Sequence, residues 1–341
     1  MRKPNLGFFR EGGFINNTPN HIYLLKLKLC YANGLDAVCF SLNDLDTDKD
    51  TINAFVWTKD GLKREVTRLP SLLEYGGGTK MRDYFRPKCT VIDDFNLSKK
   101  DVNDLLIKTE FASSVIPSIY TAIPEKILAY LNMWREVIVK PLAGARGENI
   151  ICIKQNAQGN YILTDADREI GEKSYNECIE FLKELYNGFT VIVQPRLTFV
   201  NKNGNTMDFR LNITKNGKGE WETIFIIPRT SREKIISNFS QGGYASLLEP
   251  TLKLDFGDNW EKVLTDLNRI ANKLPPIIEE ASACNMLSLG IDVGFDYNTL
   301  NPYIIEVNYV PKLTFPDKLK YHYTQSDYFT YLVNKFNDNS L

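Results

Sequence analysis

Two apolar stretches near the end of the chain, Ser288 to Asp296 and Pro302 to Val310, constrain the fold more than any other feature. They flank the turn residues Asn298 to Asn301 and read as a strand pair. Side chains alternate faces along a strand. Glu306 and Asn308 therefore point one way, and Tyr303, Ile305 and Val307 the other. Asp292, on the preceding strand, can face the first two. Two carboxylates and an amide oxygen make a hard, all-oxygen donor set suited to Mg2+, a cation that keeps waters and is completed by nucleotide phosphates. Read alone, the same residues also describe the polar face of a solvated hairpin.

Two further stretches carry chemistry. Val137-Ile138-Val139-Lys140 is an apolar strand ending in lysine; the small loop Pro141 to Gly147 and a second strand at Ile150 to Lys154 follow. Glycines let backbone N–H groups close on phosphates, and a buried lysine adds a fixed cation. A simple Gly-rich turn between strands fits as well. The spacing Gly-x-x-x-x-Gly-Lys-Ser/Thr is absent, and Gly76 to Lys80, which lacks it too, reads as a connection. In the second stretch Asp208, Arg210 and Asn212 share one strand face, with Arg229, Ser237-Asn238 and Gly242-Gly243 downstream. Arginine is shaped to hold phosphate or carboxylate bidentately. The plainer reading is an ion pair between Asp208 and an arginine on a sheet surface.

Composition narrows the class. At roughly 100–200 residues per domain, 341 residues suggest two or three domains. Lys plus Arg total 41 and Asp plus Glu 42, so there is no basic excess to draw nucleic acid or an anionic membrane. The six cysteines contain no Cys-x-x-Cys pair and fit reduced, buried thiols. The two histidines, His21 and His322, exclude a His-rich metal site and disfavour Ser-His-Asp chemistry. No run approaches 18 apolar residues, the start lacks a signal-peptide pattern, and the default location is the cytoplasm.

Along the chain, a strand at Asn5 to Phe9, a helix from Pro19-Asn20 to Asn33 with Gly34 beyond it, a buried strand at Ala37 to Phe40 and a hairpin around Lys59-Asp60-Gly61 suggest a small α/β unit. The middle reads as helices at Asp101 to Phe111 and Pro124 to Trp134, three strands, and a helix at Ser174 to Tyr186. The last region has paired strands at Met207 to Thr214 and Trp221 to Pro228, then a long helical stretch from Trp260 to Cys284 with a break at Pro275-Pro276. Tyr321 onward is helical, and its aromatics suit packing better than an interface.

The order of these motifs from Val137 to Pro311 resembles the ATP-grasp superfamily. Val193-Gln194, Asp208-Phe209-Arg210, Gly219-Glu220-Trp221, Ser237-Asn238 with Gly242-Gly243, and Ile305-Glu306-Val307-Asn308 resemble its YheC/YheD-type spore-coat-associated branch most, with ribosomal-protein glutamate ligases as a related branch. The resemblance implies an α+β ATP-grasp fold in which two domains clasp ATP, after an N-terminal pre-ATP-grasp α/β domain. The implied divisions are 1–95, a lid over 96–189 and a C-terminal domain over 190–341. It implies ATP and one or two Mg2+ ions held by Asp292, Glu306 and Asn308. Lys140 would contact phosphates, with Lys100 chosen over Lys99 and Lys108 as the second lysine. Gly144, Arg146 and Gly147 would belong to the loop over the phosphates, and Gln194 would open the adenine-binding segment. Pro195 has no N–H, which moves the adenine donor to Leu197. Asp208 is grouped with the nucleotide contacts. Arg210 and Arg229 would face the transferring phosphoryl group, with Asn238 and Gly243 near the substrate.

The implied reaction joins a carboxylate to an amine through an acyl phosphate. Its substrates would be small molecules, peptides or carrier-bound acids, with no nucleic acid and no membrane involved. A nucleotide-binding assembly protein and a kinase on the same fold are the alternatives. One departure touches the acceptor side: many members follow the asparagine with Pro-Gly, whereas here Asn308 precedes Tyr309-Val310-Pro311-Lys312.

Overall fold

The computed structural model describes residues 1–76, 81–95, 97–143, 148–165, 169–231, 243–309, 311 and 318–338. Three sheets follow one another along the chain. The first is built from β1 (Leu6–Arg10), α1 (His21–Ala32), β2 (Ala37–Ser41), β3 (Leu45–Asp46), β4 (Thr51–Thr58), β5 (Gly61–Arg68), β6 (Leu72–Gly76), α2 (Arg82–Phe85) and β7 (Thr90–Ile92). Its order is β3-β4-β2-β1-β6-β7, with β5 on β4. β1 runs parallel to β2 and β6, and β7 parallel to β6. Parallel strands are covered on both faces and read as continuous apolar runs, and all five residues of β2 are buried. Phe8 and Phe9 accordingly enter separate clusters on opposite faces. The helix expected after Pro19 is α1. The Asn20 side chain accepts from the N–H groups of Ile22 and Tyr23, and Gly34 takes the left-handed turn at φ 74° beyond its end.

The second sheet uses α3 (Lys99–Leu106), β8 (Ile119–Thr121), α4 (Pro124–Ala129), α5 (Leu131–Trp134), β9 (Glu136–Pro141), β10 (Ile151–Gln155), β11 (Tyr161–Asp165), β12 (Glu169–Lys173), α6 (Tyr175–Tyr186) and β13 (Val191–Pro195). It is antiparallel in the order β12-β11-β10-β9-β13-β8. One face packs Val137, Val139, Ile151, Ile153 and Val193 against Ile127 of α4 and Cys178, Ile179 and Leu182 of α6. The opposite face carries Ile138, Lys140, Cys152 and Gln194. Three expectations shift here. The Ser98–Asp101 capping box starts α3 earlier than Asp101, and the helix ends at Leu106. The single helix expected over Pro124 to Trp134 is divided at Tyr130. The stretch between the two expected helices, where the sequence marks no strand, holds β8, paired with β13.

The third sheet comprises β14 (Thr206–Lys215), β15 (Trp221–Ser231), β16 (Tyr244–Ala245), β17 (Ser288–Phe295) and β18 (Pro302–Asn308), with α7 (Leu248–Phe256) and α8 (Trp260–Ser282) between them in sequence. It is antiparallel, in the order β16-β15-β14-β17-β18. Phe209, Leu211, Ile213, Leu289, Ile291 and Val293 pack under Val263, Leu267, Ile270, Leu274 and Ile278 of α8. The break expected at Pro275-Pro276 does not occur: α8 continues through both prolines. Each removes one helix hydrogen bond, but Pro275 is buried beside Leu274 and Ile278, so tertiary packing holds the turn. α9 (Lys318–Asn337) lies last. Its Tyr328, Phe329, Leu332 and Val333 join Leu6, Phe8, Leu27 and Leu72 of the first sheet's core, with Phe329 edge-on to Phe8 at 5.4 Å between centroids. Of the C-terminal aromatics, Tyr328, Phe329, Tyr331 and Phe336 serve this packing, and Tyr323 is exposed.

Candidate functional site

The face of the third sheet opposite α8 collects charge because of its register. Asp208 lies opposite Arg229, Arg210 opposite Asp292, and Asp292 opposite Glu306, while Gly290 lies opposite both Asn212 and Asn308. Residues opposite one another in an antiparallel pair project to the same side. The β17–β18 ladder shifts register between Asp292 and Val293, an irregularity of the kind that re-aims a side chain beside a site. Gly290 has a local reason to be glycine: a Cβ there would lie 2.7 Å from Cβ of Pro311. The following Tyr309 stacks on Phe95.

The resulting contacts form a buried chain of alternating charge. Arg229 donates from Nε and Nη2 to Asp208 at 2.7 and 2.5 Å, and its Nη2 also lies 2.9 Å from Oδ1 of Asp292. Arg210 donates to both oxygens of Asp292, from Nε and from Nη2, the latter at 2.8 Å. Asn308 Nδ2 lies 3.4 Å from Oδ2 of the same carboxylate. Asp208, Arg229 and Asp292 are 6%, 3% and 5% exposed. Burial alone would raise the pKa of Asp292, but Arg229 and Arg210 outweigh it and hold the carboxyl below its ordinary value. Burial alone would likewise lower the pKa of Arg229, and the Asp208 and Asp292 carboxylates drive it up instead.

The second sheet presents lysine to this face. Desolvation pushes the Lys140 ammonium down to about 8, Glu306 and Asp292 act against it, and Lys99 adds to it. Lys99 Nζ lies 2.9 Å from Oε1 of Glu306. Lys100, the lysine favoured from sequence, is placed elsewhere: it pairs with Asp104 and stands over the Tyr120 ring. The helix offset of about 100° per residue separates the two, and the capping box fixes which one faces β18. Gln194 is buried and donates to Ser118 Oγ at 2.8 Å, and Asn103 of α3 donates to Ser118 and to Tyr120. This Asn103–Ser118 support was not singled out in the sequence, where no short motif marks it.

Leu197 lies in the coil after β13, with its carbonyl accepting from Phe199 N–H at 3.1 Å. Gly243 precedes β16 and is partly buried. Gly144, Arg146, Gly147 and Asn238 lie outside the described residues. Among the described residues no group of three or more His, Cys, Asp or Glu forms a metal cluster. Asp292 and Glu306 supply two carboxylates with the Asn308 amide beside them, a donor set that fits a hard divalent cation in kind. Both carboxylates now face cations. Oδ1 of Asn212 is buried without a hydrogen-bond partner on the same face. The six cysteines are free, five of them buried. No helix among the described residues is long and apolar enough to cross a membrane.

Comparison with known proteins bears on this arrangement. The family model described as YheC/D like ATP-grasp matches residues 88–335. Endospore coat-associated protein YheD of Bacillus subtilis (strain 168) is 23% identical over 279 residues, 76% of this chain and 61% of its own length. Endospore coat-associated protein YheC of the same organism is 24% identical over 178 residues, 50% of this chain and 47% of its own. The chain thus spans less than two thirds of the length of each of these relatives. Among solved structures, D-cycloserine synthetase DcsG superposes with a TM-score of 0.55 at 14% identity, covering 97% of this chain and 99% of that one. D-alanine–D-alanine ligase from Bacillus anthracis does so with 0.54 at 13%, covering 99% and 100%. ATP-grasp ligase PsnB with its minimal precursor, Mg and ADP gives 0.52 at 10%, covering 97% and 98%. At these identities the likeness to the solved structures is one of fold.

Proposed function

The chain belongs to the YheC/YheD-like ATP-grasp family and has the ATP-grasp fold, and from that membership we propose that it is an ATP-dependent carboxylate–amine ligase. The observation that carries the reading is the Arg229–Asp292–Arg210 cluster facing Lys140, Lys99 and Glu306. Among solved structures of this fold, one is named as a ligase of D-alanine to D-alanine and another is an ATP-grasp ligase in complex with a precursor peptide. The substrates proposed here are accordingly a small-molecule or peptide acid and an amine.

In this reading the second sheet is the lid, and ATP lies between Lys140 and the charged face of the third sheet. Lys99 and Lys140 neutralise phosphate oxygens, Gln194 and the segment to Leu197 frame the adenine, and Arg210 turns from Asp292 to the γ-phosphoryl oxygens. Asp292, Glu306 and Asn308 would hold Mg2+, which supplies charge neutralisation when bound. The acid's carboxylate oxygen bonds to the γ-phosphorus as the bond to ADP breaks. The amine then bonds to the carbonyl carbon, inorganic phosphate leaves, and the amine gives up a proton. Such chemistry needs positioning and charge rather than a protein nucleophile.

The test is thermal unfolding with and without Mg-ATP, on wild type and on Glu306→Ala. Ligand at 100 times its Kd stabilises the fold by ~2.7 kcal/mol. Wild type should shift clearly and the variant much less, and acids and amines that release ADP then identify the substrates. A second reading, a nucleotide-binding assembly protein, is favoured by the spore-coat association named for YheD and YheC. It predicts the same shift with no ADP release from any acid–amine pair.

A further inference from the structure

Asp292 is held unequally at its two oxygens. Oδ1 faces Arg229 Nη2 at 2.9 Å and also Arg210 Nε; Oδ2 faces Arg210 Nη2 at 2.8 Å and Asn308 Nδ2 at 3.4 Å. Arg229 meets Asp292 most closely at Oδ1, and its main grip is the two-point contact with Asp208. The side chains of Arg229 and Asp208 are 4% and 8% exposed, against 13% for Arg210. An arginine fixed on both sides by buried carboxylates has no route to a nucleotide, because leaving either partner strands a buried charge. Arg210 lies nearer the surface and can turn.

From this asymmetry we infer that Asp208 and Arg229 form a positioning pair that anchors one oxygen of Asp292 and presents the other to the metal. The inference rests on the nucleotide-site reading above. When Arg210 turns to the phosphoryl group, Arg229 still holds Oδ1. Oδ2, beside Asn308 and across the ladder from Glu306, is then the oxygen offered to Mg2+. Asp208 and Arg229 touch neither nucleotide nor metal. Their part is therefore different from the phosphoryl and nucleotide contacts that the sequence resemblance implies for them.

The experiment uses Mn2+ as the probe, read by its paramagnetic resonance signal, with a non-hydrolysable ATP analogue. Metal-free binding of the same analogue is read separately by thermal shift. The main variant replaces both charges at once, Asp208→Asn with Arg229→Gln, which leaves a neutral hydrogen-bonding pair. It should bind the metal-free analogue as wild type does and lose about tenfold or more in Mn2+ affinity, the range typical when a ligand's supporting partner is removed. Arg229→Lys, which keeps the buried charge without the planar fork, should fall between wild type and the neutral pair. A folded neutral pair with wild-type Mn2+ affinity overturns the inference, as does an equal loss of metal-free analogue. If the neutral pair does not fold, Arg229→Lys decides: reduced Mn2+ affinity with intact analogue binding upholds the inference, and unchanged Mn2+ affinity overturns it. Wild type that binds no Mn2+ with the analogue sinks the nucleotide-site reading itself, a result distinct from any difference among variants.

Discussion

Two neighbouring lysines differ in what they face, and that difference is measurable. Lys99 meets Glu306 at 2.9 Å, whereas Lys100 meets Asp104 one helical turn on. Lys99→Ala should reduce the Mg-ATP thermal shift, and Lys100→Ala should leave it near wild type; equal loss in both would remove the distinction. Away from this site, Asp93 is a buried carboxyl. Burial pushes it up to about 8, the Leu287 N–H bond and Lys26 pull it down, and Glu74 and Glu279 push it further up. His322 is pushed down to about 4 by burial, with Lys26, His21 and Lys318 adding to the shift and Gln325 opposing it. The folded state thus keeps the Asp93 proton that an unfolded chain releases above about pH 4. Its stabilisation is present at low pH and lost as pH rises through 8. The neutral His322 acts oppositely, its contribution being lost as pH falls from 6.5 toward 4. Between pH 6.5 and 8 Asp93 stands alone of the two. Asp93→Asn, which keeps an oxygen for Leu287 N–H, should flatten the fall of stability over that window, a slope of up to about 1.4 kcal/mol per pH unit. Urea denaturation at several pH values reads it, and an unchanged slope would mean that Asp93 ionises normally.

At the scale of elements, the sequence was most readable where pattern and packing agree. The β17–β18 hairpin and the face shared by Asp292, Glu306 and Asn308 follow from alternation alone, and the register bears that face out. The α1 cap was marked by Asn20 and Gly34. What escaped was decided by contacts between distant segments. Continuity of α8 through Pro275-Pro276 depends on burial against the third sheet, which no local propensity encodes. β8 exists because β13 offers it an edge. In the site, the choice of Lys99 over Lys100 depends on how α3 meets β18, and the bidentate grip of Asp208 on Arg229 depends on the β14–β15 register. The sequence supplied the residue types at the site; the partners of each charge came from the fold.

Across the whole molecule, the first and third sheets are tied by hydrogen bonds and by packing. Asp93 N–H donates to Asn285 carbonyl, and Leu287 N–H, just before β17, donates to the Asp93 carboxyl. α9 makes the larger tie by completing the first sheet's core with Phe329, which is 1% exposed. Phe329→Ala should cost about 3–5 kcal/mol and lower amide hydrogen-exchange protection in β1 and β2, although it lies far from them in sequence. Protection lost only within α9 would show that the first sheet does not depend on it. The same packing sets an order of events during synthesis. Of the three sheets, the first made leaves the ribosome with part of its core bare, and the helix that completes that core is made after everything else described here. The first-made of the three sheets is therefore the last to be finished, and it waits through the making of both others with Leu6, Phe8 and Leu72 still lacking the cover of α9.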